Sequence, residues 1–147
     1  MARIPLIIAV DFDGTIVEHD YPRIGEPVPG AVDALRHFHE RGAQLILWTV
    51  RDGKELEEAV RYVQQRGIEL FGINNNPAFC SESPKVLCDV YVDDRALGCP
   101  LRDGPTLRKP CVDWVVVRAR IDDMITMRRA HEDAFQRKGR KEAHGHR

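Results

Sequence analysis

Short apolar runs alternate with amphipathic stretches along the chain. Leucine, isoleucine and valine dominate the run at 6–10, and further apolar runs lie at 43–48, 68–73 and 90–92. Continuous runs of this length are typical of strands buried on both faces of a parallel sheet. Between them, apolar residues at helical spacing predict one helix from Pro29 and Gly30 to about Arg41, and another from Asp52 up to Gly67.

The later part of the chain is predicted to hold shorter elements and one long helix. Ser83-Pro84-Lys85 is typical of a short helical turn, and 98–101 has room for a short edge strand. Asp113 is a favourable cap for a helix over about 114–137. Alternating strands and helices predict an α/β fold, namely a three-layer, doubly wound, Rossmann-like and mainly parallel sheet of about five strands.

Polar residues follow three of the predicted strands directly. Asp11 and Asp13 follow the first, Thr49 follows the second, and Asp93 and Asp94 follow the fourth. Because reactive groups of open parallel sheets lie beyond the carboxyl ends of the strands, we expect these side chains to share one crevice. Gly14 permits a tight turn there, and Thr15 offers a hydroxyl that can hold it.

The motif DFDGT after a hydrophobic strand resembles the first motif of the haloacid dehalogenase (HAD) superfamily, most of whose members are magnesium-dependent phosphatases and phosphotransferases. The later motifs of that superfamily follow in order, with Thr49 after the second strand, Lys85 before the fourth, and Asp93-Asp94 after it. The resemblance covers about residues 5–98. It implies a Mg²⁺-dependent phosphomonoester hydrolase.

The resemblance also implies a role for each acid. Asp11 would be the nucleophile that forms an aspartyl-phosphate, and it would also ligate Mg²⁺. Asp13 would transfer the protons and offer its backbone carbonyl to the metal. Asp94 would be a direct ligand, while Asp93 would orient Lys85 or hold a metal-bound water, although the reverse assignment of the two stays open.

The remaining motif residues are predicted to bind the phosphate. Thr49 and backbone N–H groups such as that of Val50 would hydrogen-bond the phosphoryl oxygens, and Lys85 would add a fixed positive charge. Arg51 is either a phosphate contact or a surface residue. Cations are needed because two like charges about 4 Å apart repel by about 4 kcal/mol at an effective dielectric of about 20. Mg²⁺ suits such a set of oxygen ligands.

Composition narrows the class of protein. A chain of 147 residues with 43% hydrophobic and 31% charged residues has the length of one domain, here 1–136, followed by a basic tail at 137–147 that we expect to be disordered. A net charge of −1 gives no overall attraction to nucleic acid or membranes. The longest apolar run, about seven residues, is too short for a membrane span, which favours a cytoplasmic protein. The four cysteines lack metal-binding spacing and are interpreted as free thiols.

The intervals between the motifs leave no room for the cap domain that many HAD enzymes carry. The 35 residues between Asp13 and Thr49 are used by one loop, one helix and one strand, and the interval from Thr49 to Lys85 is filled in the same way. An open site is therefore expected. It would admit a small or a macromolecular phosphorylated substrate, or be covered by a second subunit of a homo-oligomer.

Three other functions stay open on the sequence. The basic tail favours a nucleic-acid end phosphatase. A receiver-like signalling module also uses a phosphorylated Asp, a Thr and a Lys, but it has the phosphorylated Asp on strand three. A binding protein that retains the phosphate and Mg²⁺ sites without activity is the third alternative.

Overall fold

The core of the protein is a four-stranded, fully parallel sheet. The computed structural model describes residues 3–103 and 107–144. The spatial order of the strands is β3-β2-β1-β4, so β1 is central, and every neighbouring pair is parallel. The strands are β1 (Ile7–Val10), β2 (Gln44–Leu47), β3 (Gly72–Ile73) and β4 (Val90–Val92).

Three helices follow the predicted pattern. They are α1 (Ala31–Glu40), α2 (Gly53–Gln65) and α3 (Trp114–His144). Gly42 ends the first helical segment with a φ of 90°, a left-handed conformation that favours glycine. Helix α3 is longer than predicted and continues through most of the segment that we expected to be a disordered tail, and the side chains of 137–143 are exposed. The last part of that tail, 145–147, lies outside the described residues.

The three helices contribute to one large apolar cluster on a single face of the sheet. Ile8 and Val10 of β1 point into this cluster, as do Leu45 and Leu47 of β2. The helical residues packed against them include Leu35 and Phe38 of α1, Ala59 and Val63 of α2, and Trp114, Ile121 and Ile125 of α3. Burying this apolar area is the main stabilisation of the fold.

The opposite face of the sheet differs from the prediction. Its smaller cluster is formed by Ala9, Ile46 and Val86, with Trp48 and Phe71 packed against it. Val86 comes from the connection between β3 and β4, and among the described residues this connection contains no helix. The predicted helical turn at Ser83-Pro84-Lys85 and the second helical layer are therefore wrong. The predicted fifth strand of the sheet is also wrong, because the sheet has four strands within the described residues. A right-handed return from β3 to β4 must still cross this face, and here a loop does so.

A two-stranded antiparallel ribbon replaces the predicted edge strand. Its strands are β5 (Leu101–Arg102) and β6 (Cys111–Val112), which pair with each other and not with the main sheet. The backbone N–H of Val112 donates to the carbonyl of Gly14 at 3.0 Å, so the ribbon is attached to the turn that follows β1.

Two further expectations concern membrane-spanning helices and the cysteine thiols. No helix within 3–103 and 107–144 is long and apolar enough to cross a membrane. All four cysteines are free, as predicted; Cys111 is buried, Cys80 is exposed, and the other two are half-buried.

Candidate active site

Three of the predicted acids meet at the carboxyl edge of the two adjacent strands β1 and β4. Val10 is paired with Val92, and the backbone N–H of Asp11 donates to the carbonyl of Val92 at 2.9 Å. Asp11, which follows β1, is therefore a neighbour of Asp93, which follows β4. Asp11, Asp93 and Asp94 each offer a carboxylate oxygen, and the three oxygens lie within 4.8 Å of one another.

The electrostatics of this cluster are unfavourable without a cation. Burial, the charge of Asp93 and the adjacent carboxyl of Asp94 together raise the pKa of Asp11 to about 8. The N–H of Phe12 acts in the opposite direction, but its effect is smaller. At neutral pH the metal-free site thus favours a proton on Asp11, which a divalent cation can replace.

The turn after β1 is fixed by Thr15, as its position in the motif predicted. Its hydroxyl donates to Oδ2 of Asp11 at 3.1 Å and accepts the backbone N–H of Asp94 at 3.3 Å. The Thr15 carbonyl in turn accepts a 2.7 Å hydrogen bond from Nε1 of the buried Trp114 at the start of α3. One threonine thus connects the two acidic strand ends and the C-terminal helix.

The two carboxylate oxygens of Asp94 have different surroundings. Nε2 of His19 donates to Oδ2 at 2.9 Å. Oδ1 is buried and has no hydrogen-bond partner among the described residues, and the whole Asp94 side chain is only 8% exposed. Because a buried carboxylate oxygen without a partner is costly, the site fits a cation that would bind Oδ1.

Asp13 does not join this cluster through its side chain. Both of its carboxylate oxygens accept 2.7 Å hydrogen bonds from Arg51, one from Nε and one from Nη2. Its predicted metal contact through the backbone carbonyl is untested. Asp13 is therefore held as a hydrogen-bond acceptor in this conformation.

Arg51 is not the surface residue that one of its two interpretations expected, and its contact with the phosphate or leaving group stays a prediction. Its side chain is 0% exposed, and it also donates to the carbonyls of Pro22 and Arg23. Its guanidinium carbon lies 5.0 Å from the ring centre of Phe12 and 5.2 Å from that of Tyr21. These partners use most of its donors, and they tie the loop after β1 to the end of β2.

Thr49 is positioned by Asn74, the residue that directly follows β3. Oδ1 of Asn74 accepts the backbone N–H of Thr49 at 2.8 Å, and Nδ2 of Asn74 donates to the Thr49 carbonyl at 2.9 Å. Asn74 has a φ of 53°, a left-handed conformation that asparagine tolerates better than most residues. The Thr49 hydroxyl accepts the N–H of Arg51 at 3.2 Å and keeps its own hydrogen available as a donor.

The backbone N–H of Val50 lies just beyond β2, next to Thr49 in the chain. The Val50 side chain is 98% exposed. Within the described ranges, no hydrogen bond engages its N–H. The predicted phosphate contact by this N–H is compatible with that exposure, but it stays a prediction.

Lys85 is not brought into contact with the acids. Its side chain is exposed and forms no ion pair with any residue that the structure describes, and its backbone N–H donates to Oγ of Ser83 at 3.2 Å. It lines an open cavity of about 730 Å³ together with Asn74 and Phe79. Asn74, whose side chain holds the Thr49 peptide, lines the same cavity as Lys85.

Sequence reasoning missed the roles of His19 and Asn74. The sequence of the loop after β1 suits an entrance to the site lined by Glu18, His19, Asp20 and Tyr21 as well as it suits a solvated loop, and it pairs His19 with no acid. The partner of His19 lies 75 positions away, and no periodic signal encodes such a pair. For Asn74, an available signal was an asparagine immediately after a strand at the carboxyl edge.

The fold and site define an α/β protein with an acidic, cation-compatible cluster at the carboxyl edge of a parallel sheet. No protein-family model matches the chain, and a search of curated proteins found no match either. A solved structure of a conserved protein from Bacteroides thetaiotaomicron is 38% identical, with a TM-score of 0.69, over 82% of this chain and 93% of that one. The chain belongs to the same family as that protein.

Proposed function

We propose that this protein is a capless, HAD-like phosphomonoester hydrolase that requires Mg²⁺ and acts through an aspartyl-phosphate on Asp11. The observation that carries the proposal is the convergence of Asp11, Asp93 and Asp94 within 4.8 Å, with one buried oxygen of Asp94 that has no hydrogen-bond partner within 3–103 and 107–144. Strand caps alone would not explain three clustered carboxylates, because their mutual repulsion is relieved only by protonation or by a cation.

The residues that would hold Mg²⁺ are Asp11 and Asp94 directly, with Asp93 beside them and the backbone carbonyl of Asp13 as a further ligand. When bound, the cation supplies positive charge that lowers the repulsion between the carboxylates and the phosphate dianion. The raised pKa of Asp11 supports this assignment, since positive charge beside Asp11 increases the fraction of the nucleophile that is ionised at neutral pH.

In the first chemical step, a carboxylate oxygen of Asp11 attacks the phosphorus atom. A bond forms between that oxygen and phosphorus, the bond from phosphorus to the ester oxygen breaks, and the leaving alcohol takes a proton. In the second step, water attacks the same phosphorus and gives a proton to the group that protonated the leaving alcohol, the bond to Asp11 breaks, and inorganic phosphate and free Asp11 result. The half-buried position of Asp11 at a strand end suits both steps.

Asp13 is the proposed proton-transfer residue, and Arg51 bears directly on that role. Both Asp13 oxygens accept hydrogen bonds from Arg51, so neither presents a proton to a leaving group in this conformation. Proton donation by Asp13 therefore requires one of these hydrogen bonds to open. The Arg51 carbonyl partners Pro22 and Arg23 lie in the loop after β1, which makes that loop the element that would move.

The phosphoryl oxygens would be bound by the hydroxyl of Thr49 and the N–H of Val50. Asn74 holds the N–H and the carbonyl of Thr49 by two hydrogen bonds, so the backbone that carries the Thr49 hydroxyl is in place before substrate binds. Lys85 would approach from the adjacent cavity and neutralise charge on the substrate. Its exposure leaves room for a large leaving group or for a second subunit over the open site.

The direct test is hydrolysis of an aryl phosphate by the native chain, with Mg²⁺ and with EDTA. We expect turnover that requires the metal and that falls by more than about 10⁴-fold in Asp11→Asn, since this change keeps the shape and removes the nucleophile. Asp33→Asn is the matched control, because Asp33 is an exposed acid of α1 whose ion pair is with Arg36 of the same helix. Equal activity in Asp11→Asn and the native chain would contradict the proposal.

A further inference from the structure

We propose that His19 is a positioning residue of the metal centre, which orients Asp94 so that Oδ1 faces the cation. This inference rests on the proposed function, because it concerns the same acidic cluster. His19 comes from the loop after β1, whereas Asp94 follows β4. Their side chains meet at 2.9 Å between Nε2 and Oδ2, where they are 17% and 8% exposed.

The hydrogen bond from His19 gives the two carboxylate oxygens of Asp94 different roles. Oδ2 accepts a hydrogen bond from the imidazole, and Oδ1 is buried without a partner in the part of the chain that the structure describes. The ring donates at Nε2 as the neutral Nε2–H tautomer and also as the imidazolium, so the contact does not depend on one protonation state. Outer partners of this kind fix the rotamer of a ligating group and raise its affinity for the metal.

Gly14 makes the contact between His19 and Asp94 sterically possible. A Cβ atom at this position would lie 2.2 Å from Nε2 of His19 and 2.5 Å from Oδ2 of Asp94. The ring and the carboxylate therefore occupy the space that any other residue at position 14 would fill. The φ of 82° at Gly14 is also a conformation that side-chain-bearing residues rarely adopt.

The backbone of Asp94 is held as well as its side chain. The Asp94 N–H donates to the Thr15 hydroxyl, which itself donates to Asp11. The position of Oδ1, the proposed ligand oxygen of Asp94, is thus fixed in two ways. Thr15 holds the backbone of Asp94, and His19 holds its side chain. A rotation of the Asp94 side chain would break the histidine contact and remove Oδ1 from the cluster.

A second histidine provides a matched control. His37 also donates from Nε2 to an aspartate, Asp122, at 2.8 Å, and this pair joins α1 to α3. Neither His37 nor Asp122 belongs to the acidic cluster. Loss of either histidine removes one histidine–aspartate hydrogen bond, but only His19 acts on a proposed ligand.

The experiment is calorimetric titration of Mg²⁺ into the native chain and into His19→Ala, His19→Asn, His19→Gln and His37→Ala. We expect His19→Ala and His19→Asn to weaken Mg²⁺ binding by about 10-fold or more. His19→Gln should retain most of the affinity, because its amide nitrogen can also donate to Oδ2. His37→Ala should bind Mg²⁺ as the native chain does, even where its melting temperature falls.

The outcomes separate this inference from the proposed function. Native-like Mg²⁺ affinity in both His19→Ala and His19→Asn would overturn the role of His19 and leave the hydrolase proposal intact. An equal loss of affinity in His37→Ala would also overturn it, because the effect would then be general destabilisation. If the native chain binds Mg²⁺ but hydrolyses no phosphate ester, the hydrolase proposal fails. Weaker Mg²⁺ binding by His19→Ala would in that case still support the positioning role of His19. Absence of Mg²⁺ binding by the native chain would overturn both.

Discussion

Arg51 donates two 2.7 Å hydrogen bonds to the two carboxylate oxygens of Asp13, from a side chain that is completely buried. This bidentate pair connects the end of β2 to the residue two positions beyond the proposed nucleophile. The same guanidinium donates to the carbonyls of Pro22 and Arg23. Arg51 thus fixes both an acidic residue of the motif and the loop that covers it.

Removing this guanidinium should be strongly destabilising. Arg51→Met leaves the Asp13 carboxylate without its partner, and breaking a buried pair in this way typically lowers the free energy of unfolding by about 3–5 kcal/mol. Arg36→Met is the control, because Arg36 forms an exposed i,i+3 pair with Asp33 whose loss should change stability by less than about 1 kcal/mol. Urea denaturation of both variants measures the difference, and equal changes would contradict the structural role of Arg51.

The acidic cluster predicts a specific dependence of stability on pH. An unfolded Asp titrates near a pKa of about 3.9, whereas that of Asp11 in the folded, metal-free chain is raised to about 8. Between these values the folded state holds a proton that the unfolded state has lost. The contribution of Asp11 to the free energy of unfolding is therefore present at low pH and is lost as the pH rises toward about 8.

This dependence can be isolated by comparing variants in EDTA. Asp11→Asn should show a shallower decline in stability than the native chain between about pH 4 and pH 8, since its amide does not titrate. Asp33→Asn should decline like the native chain. Saturating Mg²⁺ should reduce the decline in the native chain, and the same slope in all variants with and without metal would show that Asp11 is not the titrating group.

Gly14 and Gly98 separate steric crowding from backbone strain. Both have a φ above 80°, but a Cβ at Gly98 would have no neighbour within 4 Å, whereas one at Gly14 would collide with His19 and Asp94. Gly98→Ala should lower the free energy of unfolding by about 1 kcal/mol. Gly14→Ala should cost about 1–3 kcal/mol more and weaken Mg²⁺ binding. Identical effects on stability and on metal affinity would argue against the packing described at Gly14.

Asn74 offers a test of the phosphate-binding edge that does not alter the acids. Asn74→Gly keeps the left-handed backbone and removes both hydrogen bonds to the Thr49 peptide. We expect kcat/KM for an aryl phosphate to fall by about 10-fold or more, because the donors of Thr49 and Val50 lose their fixed position. Mg²⁺ affinity should be unchanged. Asn75→Gly is the control, since Oδ1 of Asn75 accepts the N–H of Ile73 and no hydrogen bond joins Asn75 to Thr49 among the described residues.

The central part of the site was predictable because it depends on strand ends. The apolar runs located β1 and β4, and the rule that their carboxyl ends share an edge placed Asp11 beside Asp93 and Asp94. The same reasoning assigned the Thr15 hydroxyl to the turn. These predictions require only the order and direction of strands, which the hydrophobic pattern encodes.

The remainder depends on pairings that no local pattern specifies. Arg51 reaches Asp13 over 38 positions, and His19 reaches Asp94 over 75, so both pairs exist only once the sheet has formed. The loop between β3 and β4 was predicted to begin a helix from Ser83-Pro84-Lys85, but this face is covered by Val86 and nearby loop residues. The predicted end of α3 at about 137 was too early, because the exposed C-terminal part of this helix has no apolar stripe from which a helix can be predicted.

The measurement that tests the central claim most directly is detection of phosphate on Asp11. The native chain is mixed with an aryl phosphate and Mg²⁺, quenched rapidly in acid, and digested for mass spectrometry. We predict a phosphorylated peptide that contains Asp11, that is lost on treatment with hydroxylamine, and that is absent in Asp11→Asn and in EDTA. Turnover by the native chain with no phosphate on that peptide, or with phosphate on another residue, would contradict the assignment of Asp11 as the nucleophile.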